Sequence, residues 1–192
     1  MDLLTSILSA FGLSASAGLN AYIPLLVIAL VARYTDLIKL ASPYDTLTNP
    51  WVIGVLLILL VVEFFADKAP AVNHINDLIQ TIIRPAAGAV VFAASADVVT
   101  EMNPVLSLIM GLFVAGSVHT VKSAAVRPAV TVTTGGTANA PVSIAEDIVS
   151  TVLSLLATVL PVLMVVVAIL LLAWFIWFLW KRGTGTHSTR KI

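Results

Sequence analysis

Four basic residues stand at matching places in a chain that is otherwise mostly apolar: Lys68, Arg84, Lys122 and Arg127. The runs 49–72 and 103–126 align without a gap, so that both open with Asn-Pro and Lys68 falls on Lys122. Arg84 and Arg127 follow, each in an Arg-Pro-Ala triplet. Internal repeats that hold charges at matching membrane depths are how many transporters build a central site. Basic groups brought together in this way could surround an anion or a zwitterion.

Acidic and polar residues follow the first of these runs at helical spacing. Steps of three and four residues connect the side chains Glu63, Asp67, His74, Asp77, Thr81 and Arg84 along one side of a helix. Pro70 suits the first turn of a new helix, which we expect to extend to about Ile83. Its polar side either faces water on a helix lying on the membrane surface or turns inward to a cavity. In the second case the carboxylates balance the basic groups and could relay a proton.

The second copy adds a glycine-rich loop and a second polar stripe. Gly135 and Gly136 follow Thr134, and their backbone amides could face an anion or a polar solute, although an ordinary exposed loop has the same composition. We expect a new helix near Asn139. Polar residues then recur every three or four positions, at Ser143, Asp147, Ser150 and Ser154. With Glu146 beside it, this stripe either lines an aqueous path or tightens helix contacts.

The first apolar segment is longer than one span needs, and SASAGLN (14–20) interrupts it. With Pro24 just beyond, this string predicts either a break between two helices or a simple kink. GLNAYIP resembles GTANAPV in the glycine loop, which would place Asn20 and Asn139 at two related broken helices. The segment also imitates a signal peptide, but Asp2 stands where basic residues are usual, so we expect the segment to be retained.

The candidate solute or ion pathway collects these residues. Its members are Asn20, Glu63, Asp67, Lys68, His74, Asp77, Arg84, Lys122, Arg127, Thr134, Gly135, Gly136, Asn139, Glu146 and Asp147. The chain has no Cys, and its His and Asp spacing does not form a recognisable metal site. No nucleophile or phosphate-loop motif occurs. We therefore predict no enzyme, no metal and no cofactor.

Composition places the chain in a membrane. Of 192 residues, 59% are hydrophobic and 10% charged, and the mean hydropathy is +1.06, unlike ordinary soluble domains. The formal charge is zero, which argues against nucleic acid as a partner. We predict an all-α, polytopic transmembrane bundle of about five or six spans, with internal two-helix repeats and broken or re-entrant helices.

A single integral membrane domain is expected to extend over residues 1–192. Its predicted parts are a broken N-terminal helix and loop (1–48), two repeats (49–100 and 103–160) and a C-terminal helix with a basic tail (161–192). Spans are predicted at 51–65, 86–99 and 105–121. The last apolar segment, 144–180, is either one long kinked helix or two spans hinged at Pro161.

The distribution of charge predicts the orientation. If the last segment crosses twice, the four repeated basic residues and those of the tail fall on one side, and the positive-inside rule favours both termini in the cytoplasm. A single crossing loses this asymmetry, whereas a turn at Pro161 in lipid would leave backbone groups unpaired. Trp174, Trp177 and Trp180 before Lys181-Arg182 indicate an interfacial belt and a cytoplasmic tail at the inner membrane.

Three strings in the chain resemble a known family: AGLNAYIPLL, EFFADKAPAVNHINDLIQTIIRPAAGA, and VRPAVTVTTGG followed by APVSIAED. They are similar to a bacterial membrane family catalogued as a domain of unknown function, number 4126, over most of residues 8–160. The resemblance implies a small polytopic membrane protein and supplies no established activity.

The leading functional hypothesis is a transporter or channel for a small ion or polar solute, with a charged cavity at the repeat interface and an anion or zwitterion favoured. The alternative is a scaffold or lipid-binding protein whose charges form structural ion pairs. A third hypothesis, an enzyme acting on a phosphorylated lipid, lacks a recognisable nucleophile. Expected partners are the lipid bilayer, the solute and a second copy of the chain. The Gly111-x-x-x-Ala115 pattern indicates either a helix contact within the chain or a subunit contact.

Overall fold

The computed structural model describes residues 3–68, 70–96 and 103–161, and positions 163, 166, 169, 170, 173, 174, 177 and 181. Within these, it describes every side chain except those at 3, 4, 70–74 and 96. Most of the last apolar segment, Trp180 and the tail from Arg182 onward lie outside the described residues. The number of times that segment crosses therefore stays a prediction, as does the side of the tail.

Seven α-helices make up the described part of the chain, which contains no strand. They are α1 (Leu3–Leu19), α2 (Tyr22–Tyr34), α3 (Pro50–Lys68), α4 (Pro70–Ala96), α5 (Pro104–Val121), α6 (Arg127–Thr134) and α7 (Asn139–Val159). A 3₁₀ helix at Tyr44–Thr48 precedes α3, and a π-helical turn at Lys122–Val126 joins α5 to α6. The prediction of an all-α bundle is confirmed.

Four of these helical stretches are long and apolar enough to cross a membrane. They are Pro50–Lys68, Ile75–Ser95, Pro104–Thr134 and Asn139–Val159. The chain is a membrane protein with these four candidate spans among its described residues. We call the side on which α3 begins the Trp51 face and the side on which it ends the Lys68 face.

The two N-terminal helices form a re-entrant hairpin that starts and ends at the Trp51 face. Ser9 of α1 lines one small pocket together with the chain just beyond α2 (36–39), so the second helix must run back beside the first. Arg33 at the end of α2 donates to the carbonyl oxygen of Thr48, just before α3 (2.6 Å). Helices of 17 and 13 residues measure about 25 and 20 Å, less than the roughly 30 Å of a hydrocarbon core. We therefore expect the hairpin tip to lie inside the membrane.

The predicted break in the first segment exists but is shorter than expected. The string 14–20 was predicted to be interrupted, yet α1 continues through Leu19 and the chain turns only at Asn20 and Ala21. Serines weaken a helix when their hydroxyls compete for its own backbone. Here the Ser14 hydroxyl instead donates to the carbonyl oxygens of Gly88 and Gly111 on neighbouring helices, at 2.9 Å each.

Small residues let α1 lie in close contact with α4 and α5 at the centre of the bundle. A Cβ atom added to Gly111 would lie 2.4 Å from the carbonyl oxygen of Gly88 and 2.6 Å from the Cβ of Phe92. A Cβ on Gly18 would lie 2.6 Å from the carbonyl oxygen of Ala115. Backbones at this separation leave no room for larger side chains, as is common where membrane helices meet.

Replacing Gly111 by Ala is expected to lower the free energy of unfolding in detergent by about 1–3 kcal/mol, because the added methyl forces α4 and α5 apart. Gly54→Ala is the matched control, since a Cβ at Gly54 meets nothing within 4 Å. Equal stability of the two variants would show that α4 and α5 do not pack as described.

Both asparagines that open the repeated runs cap their helices in the same way. The Asn49 side chain accepts from the Trp51 amide at 2.9 Å, and the Asn103 side chain accepts from the Val105 amide at 2.8 Å. In each copy Pro is the first helical residue, where its missing amide leaves no helical hydrogen bond unmade. The cap and the proline therefore make Asn-Pro a start signal for both helices.

The expectation of a separate helix ending near Ile83 is wrong, because α4 runs without interruption through Pro85 to Ala96. A proline inside a membrane helix is tolerated when neighbouring helices and side chains satisfy the freed backbone group. The helix does not lie on the membrane surface: Ile82 is 77% exposed on its lipid side, while Arg84 is fully buried on the other. Of the two interpretations, the polar side turns inward.

Candidate functional site

Nine charged side chains from five helical elements meet in one cluster of ion pairs, in which Lys68 and Asp147 form a pair of their own. We call it the mid-membrane ion network, and its members are Glu63, Asp67, Lys68, Asp77, Arg84, Lys122, Arg127, Glu146 and Asp147. All nine belong to the candidate pathway, and the four repeated basic residues are all among them. Among the side chains described, the network contains five carboxylates and four basic groups.

Part of the network lies close to the middle of the spans, whereas Asp67 and Lys68 lie at the end of α3. Arg84 is one residue from the middle of the span within α4, and its neighbour His119 is the middle residue of the span 104–134. Glu146 and Asp147 lie within three residues of the middle of α7. Ionisable groups at this depth are costly and by default indicate function. Arg84, Lys122 and Arg127 lie within the candidate spans and are not loop charges, so the positive-inside argument that counted all four basic residues loses most of that support.

Asp67, near the end of α3, is the centre of the network. Its Oδ2 accepts from Arg127 Nη2 at 2.7 Å and from the Ser143 hydroxyl at 3.0 Å, while Oδ1 accepts from Asn76 at 2.8 Å. Arg84 and Lys122 lie 3.8 and 3.9 Å from the same Oδ2. One buried carboxylate thus compensates three basic groups, each supplied by a different helical element.

The π-helical turn explains how Lys122 and Arg127 both reach Asp67. Residues five apart on an α-helix point about 140° away from each other, because each residue turns the helix by 100°. A π-helical turn closes i→i+5 hydrogen bonds and returns residue i+5 to the side of residue i. Lys122–Val126 has this conformation, and the Arg127 amide bonds to the Lys122 carbonyl oxygen. Turns of this kind are frequent at functional sites.

The tip of the re-entrant hairpin contacts the network directly. Lys122 Nζ donates to the carbonyl oxygen of Leu19 at 3.0 Å and pairs with Glu146 at 2.8 Å. The carbonyl end of a helix carries partial negative charge, so the end of α1 attracts the ammonium group. The Asn20 side chain donates to Asp147 at 3.0 Å, and Asp147 also pairs with Lys68 at 3.0 Å.

Asn20 also begins the second helix of the hairpin. Its side-chain oxygen accepts from the amides of Tyr22 and Ile23, at 3.0 and 3.2 Å, and so caps α2. Asn20 thus links the helix break to the network. Asn139 instead hydrogen-bonds to Thr131, so it does not join Asn20 at the network.

Arg84 connects the network to a buried histidine that the sequence analysis did not select. Its Nη2 donates to Glu63 at 2.9 Å, and its Nη1 lies 3.3 Å from His119 Nδ1. Arginine can only donate, so Nδ1 accepts and the imidazole proton sits on Nε2, 3.2 Å from the Thr81 hydroxyl. Glu63 Oε2, Gln80 Oε1 and Arg84 Nε have no hydrogen-bond partner within the described structure.

A polar vestibule of about 540 Å³ borders the network toward the Lys68 face. It is lined by Asp67, Lys68, Thr131, Gly135, Gly136, Thr137, Asn139 and Ala140. Gly135 and Gly136 have φ values of 61° and 85°, in the left-handed region that favours glycine, and the turn that they form lines one side of this cavity. Thr131 and Asn139 hydrogen-bond across it at 3.1 Å.

Two candidate residues take no described part in the network or the vestibule. The Thr134 hydroxyl donates to the carbonyl oxygen of Val130 in its own helix, outside the vestibule lining. His74 belongs to α4, but its side chain lies outside the described residues.

The polar stripe of α7 divides between the two roles considered for it. Ser143 and Asp147 bind network residues, whereas Ser150 and Ser154 contact α1. The Ser16 hydroxyl lies 2.7 Å from the hydroxyls of both serines. Ser150 and Ser154 therefore serve helix packing, and only Ser143 and Asp147 reach the mid-membrane ion network.

Sequence reasoning also missed Asn76 and Gln80 on the buried side of α4. The signal was present, because Asn76, Gln80 and Arg84 are spaced by four residues. Among the described residues, no group of three or more His, Asp or Glu side chains is arranged to hold a metal ion.

Comparison with known proteins identifies one family. The family model described as Domain of unknown function (DUF4126) matches residues 7–181. No curated protein matches the chain, and no solved structure matches it.

Proposed function

We propose that this chain, which belongs to the family Domain of unknown function (DUF4126), is a transporter or channel for a small ion or polar solute. The proposal rests on one observation. The tip of the re-entrant hairpin contacts the mid-membrane ion network, and the vestibule ends at this network. Re-entrant or broken helices whose ends face charged groups near the midplane are how many transporters bind their solutes. The mid-membrane ion network is then the solute site, and the vestibule is its approach from the Lys68 face.

The pathway is closed on the opposite side in this conformation. Between the network and the Trp51 face, α1 packs on α4 and α5 with Ser14 bonded to both Gly88 and Gly111. A second, smaller cavity of about 260 Å³ lies beyond this contact, between Ser9 and the chain after α2. An approach on one side and a closed contact on the other are what alternating access requires of one state.

A zwitterion fits the charges better than a simple anion. All four basic groups already pair with carboxylates, so an anion must displace one of them. The pair of Lys68 and Asp147 is the easiest to open, because it is partly exposed (15% and 18%) and Lys68 lines the vestibule. A solute with one charge of each sign exchanges with this pair without leaving either partner uncompensated.

The remaining features of the proposal follow from composition. We propose the inner membrane as the location, with a cytoplasmic C-terminal tail, on the strength of the basic residues after Trp177 and the aromatic residues before them. The competing function is a non-transporting scaffold, which the complete pairing of the basic groups favours. A scaffold has no use for a vestibule that ends at its ion pairs.

A thermal-shift panel on detergent-purified protein tests the proposal. Amino acids, small carboxylates, phosphates, inorganic anions and monovalent cations are added one at a time to the wild type and to Lys68→Gln. We expect a zwitterion to raise the melting temperature of the wild type, since a ligand at about one hundred times its Kd contributes about 2.7 kcal/mol. The shift should be lost in Lys68→Gln.

Lys39→Gln is the matched control, because Lys39 lines the cavity at the Trp51 face and not the vestibule. It should keep the full shift. If no solute shifts the wild type and Lys68→Gln only lowers the melting temperature, the scaffold function replaces transport.

A further inference from the structure

We propose that the transport is coupled to a proton and that Glu63 carries it. The inference rests on the proposed function and names its coupling ion. Its basis is a buried carboxylate that shares one arginine with a buried histidine and leaves an oxygen without a partner.

Glu63 is buried and only half satisfied. It is 2% exposed, and its Oε1 accepts from Arg84 at 2.9 Å, whereas Oε2 has no hydrogen-bond partner among the described residues. A buried polar atom without a partner is destabilising. A proton on Oε2 turns this acceptor into a donor. Gln80, one helical turn before Arg84, is also buried, and its amide oxygen likewise has no donor in the described structure.

The charge of the network favours the uptake of one positive charge. The described side chains supply five carboxylates and four basic groups, so the network with every group ionised carries one excess negative charge. Protonation of Glu63 makes the two counts equal. Arg84 then keeps Asp67 at 3.8 Å and His119 at 3.3 Å as its remaining partners.

The surroundings of Glu63 select it over the other carboxylates. Arg84 of α4 pairs with it at 2.9 Å. The other titratable groups near enough to act on its charge are Tyr22 of α2, Asp67 of its own helix and Lys122 of the π-helical turn. His119 of α5 lies behind Arg84 and holds its proton on the side away from that arginine. The other four carboxylates pair with Lys68, Lys122 or Arg127. Arg84 is the one basic partner of Glu63 among the described residues, so protonation of Glu63 leaves all these other pairs intact.

A route to Glu63 begins in the vestibule. Asp67 borders the vestibule and lies one helical turn after Glu63 on α3. A hydronium that enters from the vestibule loses one O–H bond and leaves as water, while a new O–H bond forms at Glu63 Oε2 and Arg84 is released from a full negative charge. Asp67 keeps its ion pairs and stays ionised during this step. When the path opens to the Trp51 face, that bond breaks and the proton returns to water there. No oxidation or reduction takes part.

Infrared difference spectroscopy of the detergent-purified protein tests this assignment without any transported solute. Lowering the pH from mildly alkaline to acidic should produce the carbonyl stretch of a protonated carboxylic acid, which ionised carboxylates do not give. We expect this band in the wild type and in Lys39→Gln, whose side chain lines the cavity at the Trp51 face and is not part of the network. Exposed carboxylates give the same stretch at acidic pH in every variant, so the contribution of Glu63 is the wild-type spectrum minus that of Glu63→Gln. We expect this part of the band to be missing in Glu63→Gln. A band that persists unchanged in Glu63→Gln overturns the proposal.

A second variant keeps the test decisive if Glu63→Gln does not fold. Arg84→Lys retains the positive charge but replaces the guanidinium next to Glu63, so the band should move in frequency or appear at a different pH. An unchanged band in Arg84→Lys contradicts the assignment. Because the measurement needs no flux, its failure is distinct from a failure to find a transported solute.

Discussion

Replacing Asp67 by Asn is expected to lower the free energy of unfolding by about 3–5 kcal/mol, because removal of one partner leaves buried charges uncompensated. Arg127 loses its closest partner, at 2.7 Å, and Lys122 and Arg84 lose the carboxylate that lies between them. Equilibrium unfolding of the detergent-solubilised protein measures the loss. Asp45→Asn is the control, since Asp45 lies in the exposed 3₁₀ helix before α3.

A double substitution shows whether this loss comes from charge. Adding Lys122→Gln to Asp67→Asn removes one of the charges that Asp67 compensated, so the two losses should sum to more than the loss of the double variant. Simple addition would mean that the two residues do not interact. A loss below about 1 kcal/mol for Asp67→Asn, the range of exposed pairs, would show that the network is hydrated and not a buried mid-membrane site.

Chemical modification in the vestibule is expected to reduce solute uptake to background. The chain has no Cys, so Thr131→Cys introduces its only thiol, on the wall of the vestibule above Asp67 and Lys68. A charged, membrane-impermeant thiol reagent should react with it from the Lys68 face and fill the approach to the network. Uptake by proteoliposomes of the solute found in the thermal-shift panel, before and after modification, measures the block.

Val132→Cys is the matched control for the modification. Val132 follows Thr131 in α6, is 84% exposed and is not part of the vestibule wall. Modified Val132→Cys should keep its uptake. Full uptake by modified Thr131→Cys would exclude the vestibule as the solute path.

The helices were predictable because their signals are local. Asn-Pro caps two helices in the way that the sequence indicates, and long apolar runs become spans. Pro85 misled the prediction of α4, since a proline that would end a helix in water is tolerated in a membrane bundle. The π-helical turn has no sequence signal of its own, yet it sets the direction of Arg127.

The sequence predicted which residues belong to the site better than it predicted the contacts between them. The repeated basic residues and their carboxylates were selected because charge is rare in an apolar chain. His119, Asn76 and Gln80 were missed because uncharged or single polar residues are common in helices. Thr81 and Gln80 both lie about one helical turn before Arg84, so spacing alone does not tell which of them faces inward. Only the packing of α4 in the bundle decides that Gln80 is buried. Partners across helices depend on tertiary contacts that no local pattern encodes.

The uptake of solute by the wild type in proteoliposomes is the most direct test of the central claim, that the hairpin tip and the mid-membrane ion network form a transport site. With the solute panel presented at the Lys68 face, we predict saturable uptake of a zwitterionic solute above that of empty liposomes. Uptake indistinguishable from empty liposomes for every solute, by protein that remains folded, would contradict the account and leave the ion network a structural element.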